Sequence, residues 1–129
     1  MPAFTHTVLH LSQQAKLTQG HTLTATVVYT QVGLANTMAS RLVGLLRHTH
    51  LQPEQGLWIT PCHSIHSVGM RFAFDAAFID AHGKVLHRVE AMRSLRLSPI
   101  VKGAVAVLEV PAHSLAKHGI TEGDTLVLL

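Results

Sequence analysis

The amino-acid sequence predicts a mostly β fold: a small barrel- or sandwich-like sheet with one helix near residues 37–48 and a helical turn near 114–118. Three observations point there. Several short runs, such as TLTATVVY, are rich in β-branched and apolar residues that alternate with polar ones. Segments containing Gly, Asp or Pro separate these runs. Finally, the strand patterns do not alternate regularly with helical ones, which argues against a doubly wound sheet.

In chain order, residues 4–11 and 22–30 read as two strands, with Thr18-Gln19-Gly20-His21 as the turn of an N-terminal hairpin. Asn36 or Thr37 caps a helix running to about His48, whose apolar face carries Met38, Leu42, Leu45 and Leu46. Gly44 weakens that helix by about 1 kcal/mol relative to alanine, which suits close approach of another backbone. Pro53, Gln55 and Gly56 mark a loop before the apolar run Leu57-Trp58-Ile59. FAFDAAFID, the turn Ala81-His82-Gly83-Lys84 and KVLHRVE form the clearest hairpin. Ser98-Pro99 breaks the next segment, and AVAVLEV makes a strand that Pro111 stops. Ser114 is placed to cap a short helical turn ending at Gly119. Thr121-Glu122-Gly123-Asp124 then turns the chain into the last strand, TLVLL.

A length of 129 residues bounds a single domain over residues 1–129, large enough to bury a core without staples. Hydrophobic residues make up 47% and charged residues 13%, a balance that excludes disorder. The net charge of +3 is modest, and the eleven histidines are scattered rather than run together. One cysteine excludes an intramolecular disulfide. No charged segment precedes an unbroken apolar core near the start, and no apolar run reaches the roughly 18 residues of a membrane helix. A cytoplasmic setting is expected on these grounds, with no membrane association.

Several segments also follow one pattern in order and spacing. They are Ala35-x-Thr37-x-x-x-Arg41-Leu42-x-Gly44-Leu45 and Pro61-Cys62-x-Ser64-Ile65-His66-Ser67-x-x-Met70-Arg71-Phe72. Asp75, Phe78-Ile79-Asp80-x-x-Gly83-x-Val85, Val107-Leu108-Glu109-Val110-Pro111-Ala112 and Gly123-Asp124 come after these. Over residues 34–129 the chain resembles the DUF192 family (also called UPF0127), small bacterial and archaeal proteins of unknown function. The resemblance implies a compact, mostly β fold built on a barrel- or sandwich-like sheet, and it implies no activity, cofactor or partner. The chain departs from the family in having Ala73-Phe74 where proline and isoleucine are common, and His63 where many relatives carry another polar residue.

The segment Pro61–Asp80 is the densest in chemistry-bearing side chains. Cys62, His66, Met70, Arg71 and Asp75 are the candidate ligand-binding residues, since a few placed polar groups in apolar surroundings suit a small polar ligand or a peptide. Cys62, His63 and His66 form an alternative metal set, with ligand types suited to zinc or cuprous copper. In an extended segment Cys62 and His66 would stand roughly 13 Å apart, so that reading needs a turn between them. A thiol-reactive site would pair Cys62 with His66 or His63, with Asp75 or Asp80 orienting the imidazole. Asp75 interrupts an apolar strand and needs a partner, for which Arg41 or Arg71 is the expected ion-pair candidate. Asp80 is expected to open the hairpin turn. Arg41, Gly44, Glu109, Gly123 and Asp124 are read as structural, with Glu109 as a partner for a buried cation such as Arg41.

Arg88, Arg93, Arg96 and Lys102 form a basic group, but aromatic content is only 5% and no RNA-binding signature is present, so nucleic acid is not the expected partner. No catalytic set is complete and no cofactor is identified. The expectation is a non-catalytic binding or accessory module whose partner is a small ligand or a protein. Its competitor is a Cys–His metal or thiol site at Cys62 and His66. Monomer and homodimer fit the sequence equally.

Overall fold

The computed structural model describes residues 4–16, 20–36, 51–65, 72–93 and 96–129. Among them, seven strands form one mixed sheet: β1 (Phe4–Lys16), β2 (Gly20–Ala35), β3 (Gln55–Ile59), β4 (Phe74–Ile79), β5 (Val85–Met92), β6 (Ala106–Pro111) and β7 (Thr125–Leu128). A short helix, α1 (Ser114–Lys117), follows β6. The expected helix over residues 37–48, with Gly44, lies outside the described residues.

The N-terminal hairpin is longer than its sequence pattern. One residue, Val28, is unmatched between the pairs Val8↔Tyr29 and Leu9↔Val27, and this bulge turns both Val28 and Tyr29 into the core. β2 and β3 pair in parallel, from Gln31↔Gln55 to Ala35↔Ile59. A parallel pair needs a long crossover, and the intervening chain, residues 36–54, supplies it. The second hairpin, β4–β5, is built as its residue types predict. Asp80 Oδ1 accepts hydrogen bonds from the amides of His82 and Lys84, at 2.8 and 2.9 Å, and Gly83 takes φ +85°.

The strand order is β5-β4-β6-β3-β2-β1-β7. Among the described residues the two edge strands meet at the isolated bridge Lys84↔Thr125 and a few hydrogen bonds around it, so the sheet approaches a barrel without closing into one. Gly83 sits at this seam, and its carbonyl accepts from the Leu126 amide at 2.8 Å. A Cβ there would stand 2.7 Å from the Leu126 carbonyl oxygen.

β4 is buried at all six positions and β6 at its first five, because apolar clusters cover both faces of the sheet there. On one face Ala77, Ile79, Leu108 and Val110 pack with Val8, Tyr29, Leu115 and Ile120. On the other, Phe74, Ala76, Phe78 and Val107 pack with Leu57, Ile59, Ile65 and Met92. Strands covered on both sides read as continuous apolar runs, which is why FAFDAAFID and AVAVLEV scarcely alternate.

Candidate functional site

The loop after β3 carries the thiol. The Cys62 amide donates to the Val105 carbonyl at 2.9 Å, and the Val101 amide donates to the His63 carbonyl at 2.9 Å. These bonds tie residues 61–64 to the segment that leads into β6. Together they border an open cavity of about 400 Å³, lined by Pro61, Cys62, His63, Ser64, Ala104 and Val105. Cys62 is half-buried and packs on the same apolar cluster as Phe74 and Phe78, while His63 is exposed. The thiol donates to the Ser64 carbonyl at 3.1 Å. His66, Met70 and Arg71, expected beside it, lie outside the described residues. Among the described residues no three His, Cys, Asp or Glu side chains are grouped to hold a metal ion.

Asp75 does not share this cavity. It alternates with Phe74 and Ala76 along β4 and is fully buried on the opposite face of the sheet. Its Oδ1 accepts from the amides of Ala91 (2.7 Å) and His113 (2.9 Å), and Oδ2 accepts from Leu115 (3.1 Å). Three bonds to a carboxylate are charge-assisted and replace the water it has lost. They also explain two local irregularities. Ala91 sits at φ +49° in a β5 bulge, where the pairing passes from Phe74↔Met92 to Ala76↔Val89. His113 sits at φ +67° just before α1. The expected partners Arg41 and Arg71 lie outside the described residues; the described partners are backbone amides.

The expected cap on α1 is corrected. The N-cap is His113 and makes no side-chain cap bond. Asp75, distant in sequence, takes up the Leu115 amide instead. The Ser114 hydroxyl is committed elsewhere, 2.8 Å from the Tyr29 hydroxyl in the core.

Glu109 is the other buried carboxyl, 5% exposed and opposite Ala76 and Leu57 in the sheet. It faces the same side as Val107, among Leu57, Phe74 and Ala76. Among the described residues no polar group is bonded to it, and Arg41 lies outside them. Burial raises its pKa from 4.5 to about 8, so the neutral acid is the form held at neutral pH. A buried acid with no partner among the described residues is a functional-site signal that a purely structural reading of Glu109 passes over. Its trace in the sequence is an acid inside the otherwise apolar run AVAVLEV.

The remaining expected structural residues are local. Asp124 Oδ2 accepts from His10 Nε2 at 2.8 Å and from the Thr121 amide at 3.1 Å, tying the last turn to β1. Gly123, at φ +92°, provides the left-handed step of that turn. Of the basic group, Arg88 is committed to the Ile120 carbonyl at 2.7 Å and lies 3.4 Å from Glu90.

Fold and site together define a mixed β-sheet domain with apolar cores on both faces of β4 and β6 and a thiol-lined cavity beside them. The chain belongs to the DUF192 family: the family model, described as "Uncharacterized ACR", matches residues 17–128. The match begins upstream of the motif pattern at 34–129 and so takes in the whole of β2. No curated protein matches. Solved structures similar to this chain include a protein of unknown function from Novosphingobium aromaticivorans. It is 21% identical, with TM-score 0.75, over 94% of this chain and 83% of that one. A putative transcription regulator from Sinorhizobium meliloti is 17% identical, with TM-score 0.76, over 98% of this chain and 96% of that one. At such identities these likenesses establish the fold.

No helix among the described residues is long and apolar enough to cross a membrane.

Proposed function

We propose that this DUF192 domain is a non-catalytic binding module that receives a small ligand or a peptide at the cavity beside Cys62, in the cytoplasm. The observation that carries this reading is the use made of the thiol. Its hydrogen is given to the Ser64 carbonyl, 3.1 Å away on its own loop, at the wall of an open cavity of about 400 Å³. A nucleophilic cysteine works as thiolate, activated by a base or a positive environment, and a donated S–H favours the thiol. The cavity is of the size that small-molecule sites take, and it mixes apolar walls with a few polar groups. His66, Met70 and Arg71, which follow in sequence, are the proposed extension of the site.

The competing reading is a zinc, copper or thiol-reactive centre on Cys62, His63 and His66. Native mass spectrometry of untagged protein, purified under reducing conditions without chelator, separates the two. The binding-module reading predicts no stoichiometric zinc or copper increment, and alkylation of Cys62 at the rate of an ordinary free thiol. A metal increment lost in Cys62→Ser, or alkylation orders of magnitude faster than glutathione, would replace it with the competitor.

A further inference from the structure

A second cavity, of about 280 Å³, opens where β6 runs into α1 and faces residues 51–53. Its apolar walls come from Leu51, Pro53 and Pro111, and its polar groups from His113, Ser114, Lys117 and His118. Every ionisable group in this lining is a base. The Asp75 carboxylate lies behind the wall, but it is fully buried and both its oxygens are taken by backbone amides. Those bonds hold the His113–Leu115 backbone that forms part of the cavity wall.

The hydroxyl pair beneath the cavity adds an independent observation. Tyr29 is 0% and Ser114 7% exposed, and their oxygens are 2.8 Å apart. The two hydroxyls carry two protons, and one hydrogen bond between them uses one. Burial, the largest influence on Tyr29, pushes its phenol well above the usual range, so it keeps its proton. Tyr29 is closed off from the cavity, and Ser114 lines it. The arrangement that wastes least has Tyr29 donating to Ser114 and the Ser114 proton offered to the cavity. No acceptor for that proton is found among the described residues. An unsatisfied buried donor is costly, and a ligand oxygen placed there would relieve it. His118 stands edge-on to Tyr29, with ring centres 5.2 Å apart, at the same rim.

We propose that this cavity is a binding site for a small carboxylate with a compact apolar body. One oxygen accepts from the Ser114 hydroxyl, Lys117 supplies positive charge, the histidine rings supply further donors, and the apolar body lies against Leu51, Pro53 and Pro111. The site is separate from the Cys62 cavity, so its success or failure leaves the reading of that cavity untouched.

The test is titration of the ¹⁵N-labelled full chain with sodium benzoate, benzylamine and inorganic phosphate, followed by amide shifts. Benzoate is expected to give saturable shifts confined to residues near 111–119, while benzylamine gives none and phosphate binds at least about tenfold more weakly. Lys117→Ala, at an exposed position, is expected to weaken benzoate about tenfold with the rest of the spectrum unchanged, and Ser114→Ala to weaken it at least about threefold. The proposal is overturned if benzoate shows no saturation by about 20 mM. It is equally overturned if benzylamine or phosphate binds as tightly, or if Lys117→Ala leaves the affinity unchanged.

Discussion

The neighbouring strands β4 and β6 carry two buried carboxyls on opposite faces, and the protein treats them in opposite ways. Asp75 of β4 faces Val110 of β6, and the next pair along is Ala76 with Glu109. Asp75 is surrounded by backbone amides from β5 and from the start of α1, and it accepts three bonds. Glu109 is surrounded by Leu57, Phe74 and Ala76, and no described group bonds to it. Burial is nearly equal, so burial does not tell the two apart. The difference lies in whether irregular backbone approaches: a bulge and a helix start expose amides on one face, while regular apolar strand surrounds the other. An acid in a buried strand is thus a framework element where backbone amides converge on it, and a group held in reserve where they do not.

The largest effect should follow from removing the satisfied acid. Asp75→Ala strips one buried and two part-buried amides of their acceptor, and leaving a buried donor unpaired costs about 1–3 kcal/mol. Denaturant unfolding should record a loss of about 3 kcal/mol or more. A loss under about 1 kcal/mol would break the comparison, because Asp75 would then hold nothing together.

Asp124 sharpens the comparison as a partly exposed intermediate case with two partners, His10 and the Thr121 amide. Asp124→Ala should cost about 1–2 kcal/mol by the same measurement, between the extremes. A cost equal to that of Asp75→Ala would mean that the number of partners, and not burial, sets the scale.

Cys62→Ser should change stability least, by under about 1 kcal/mol, because the hydroxyl can keep the bond to Ser64 and the site borders an open cavity. A larger loss in thermal unfolding would move Cys62 from the cavity wall into the framework.

What the sequence makes legible follows the same division between local and distant partners. The β4–β5 hairpin can be read because Asp80 and Gly83 create its turn within a few residues. The second segment of the N-terminal hairpin is legible in TLTATVVY, yet its bulge at Val28 is not, because it is set by packing across to Val8. The parallel pairing of β2 with β3 is hidden because no local turn announces it. Ser114 reads as a cap by residue type, but Asp75 supplies that acceptor from β4 and leaves the hydroxyl to Tyr29. Asp75 and Cys62 are conspicuous in one short segment, and strand alternation separates them onto opposite faces. The cavity at α1 has no sequence signature, since Leu51 and Lys117 meet only in three dimensions.

The measurement that bears most directly on the contrast is the thermal midpoint of wild type and Glu109→Gln as a function of pH. The folded protein holds the Glu109 proton up to about pH 8, whereas the unfolded chain releases it near 4.5. The folded state therefore binds more protons between those values, so this contribution to stability is complete below 4.5 and is lost as pH rises to about 8. Glutamine does not titrate. The wild-type midpoint should fall relative to the variant across that window and run parallel to it above. A difference between the two profiles that stays constant with pH would contradict the account, because Glu109 would then release its proton at the same pH in the folded protein as in the unfolded chain.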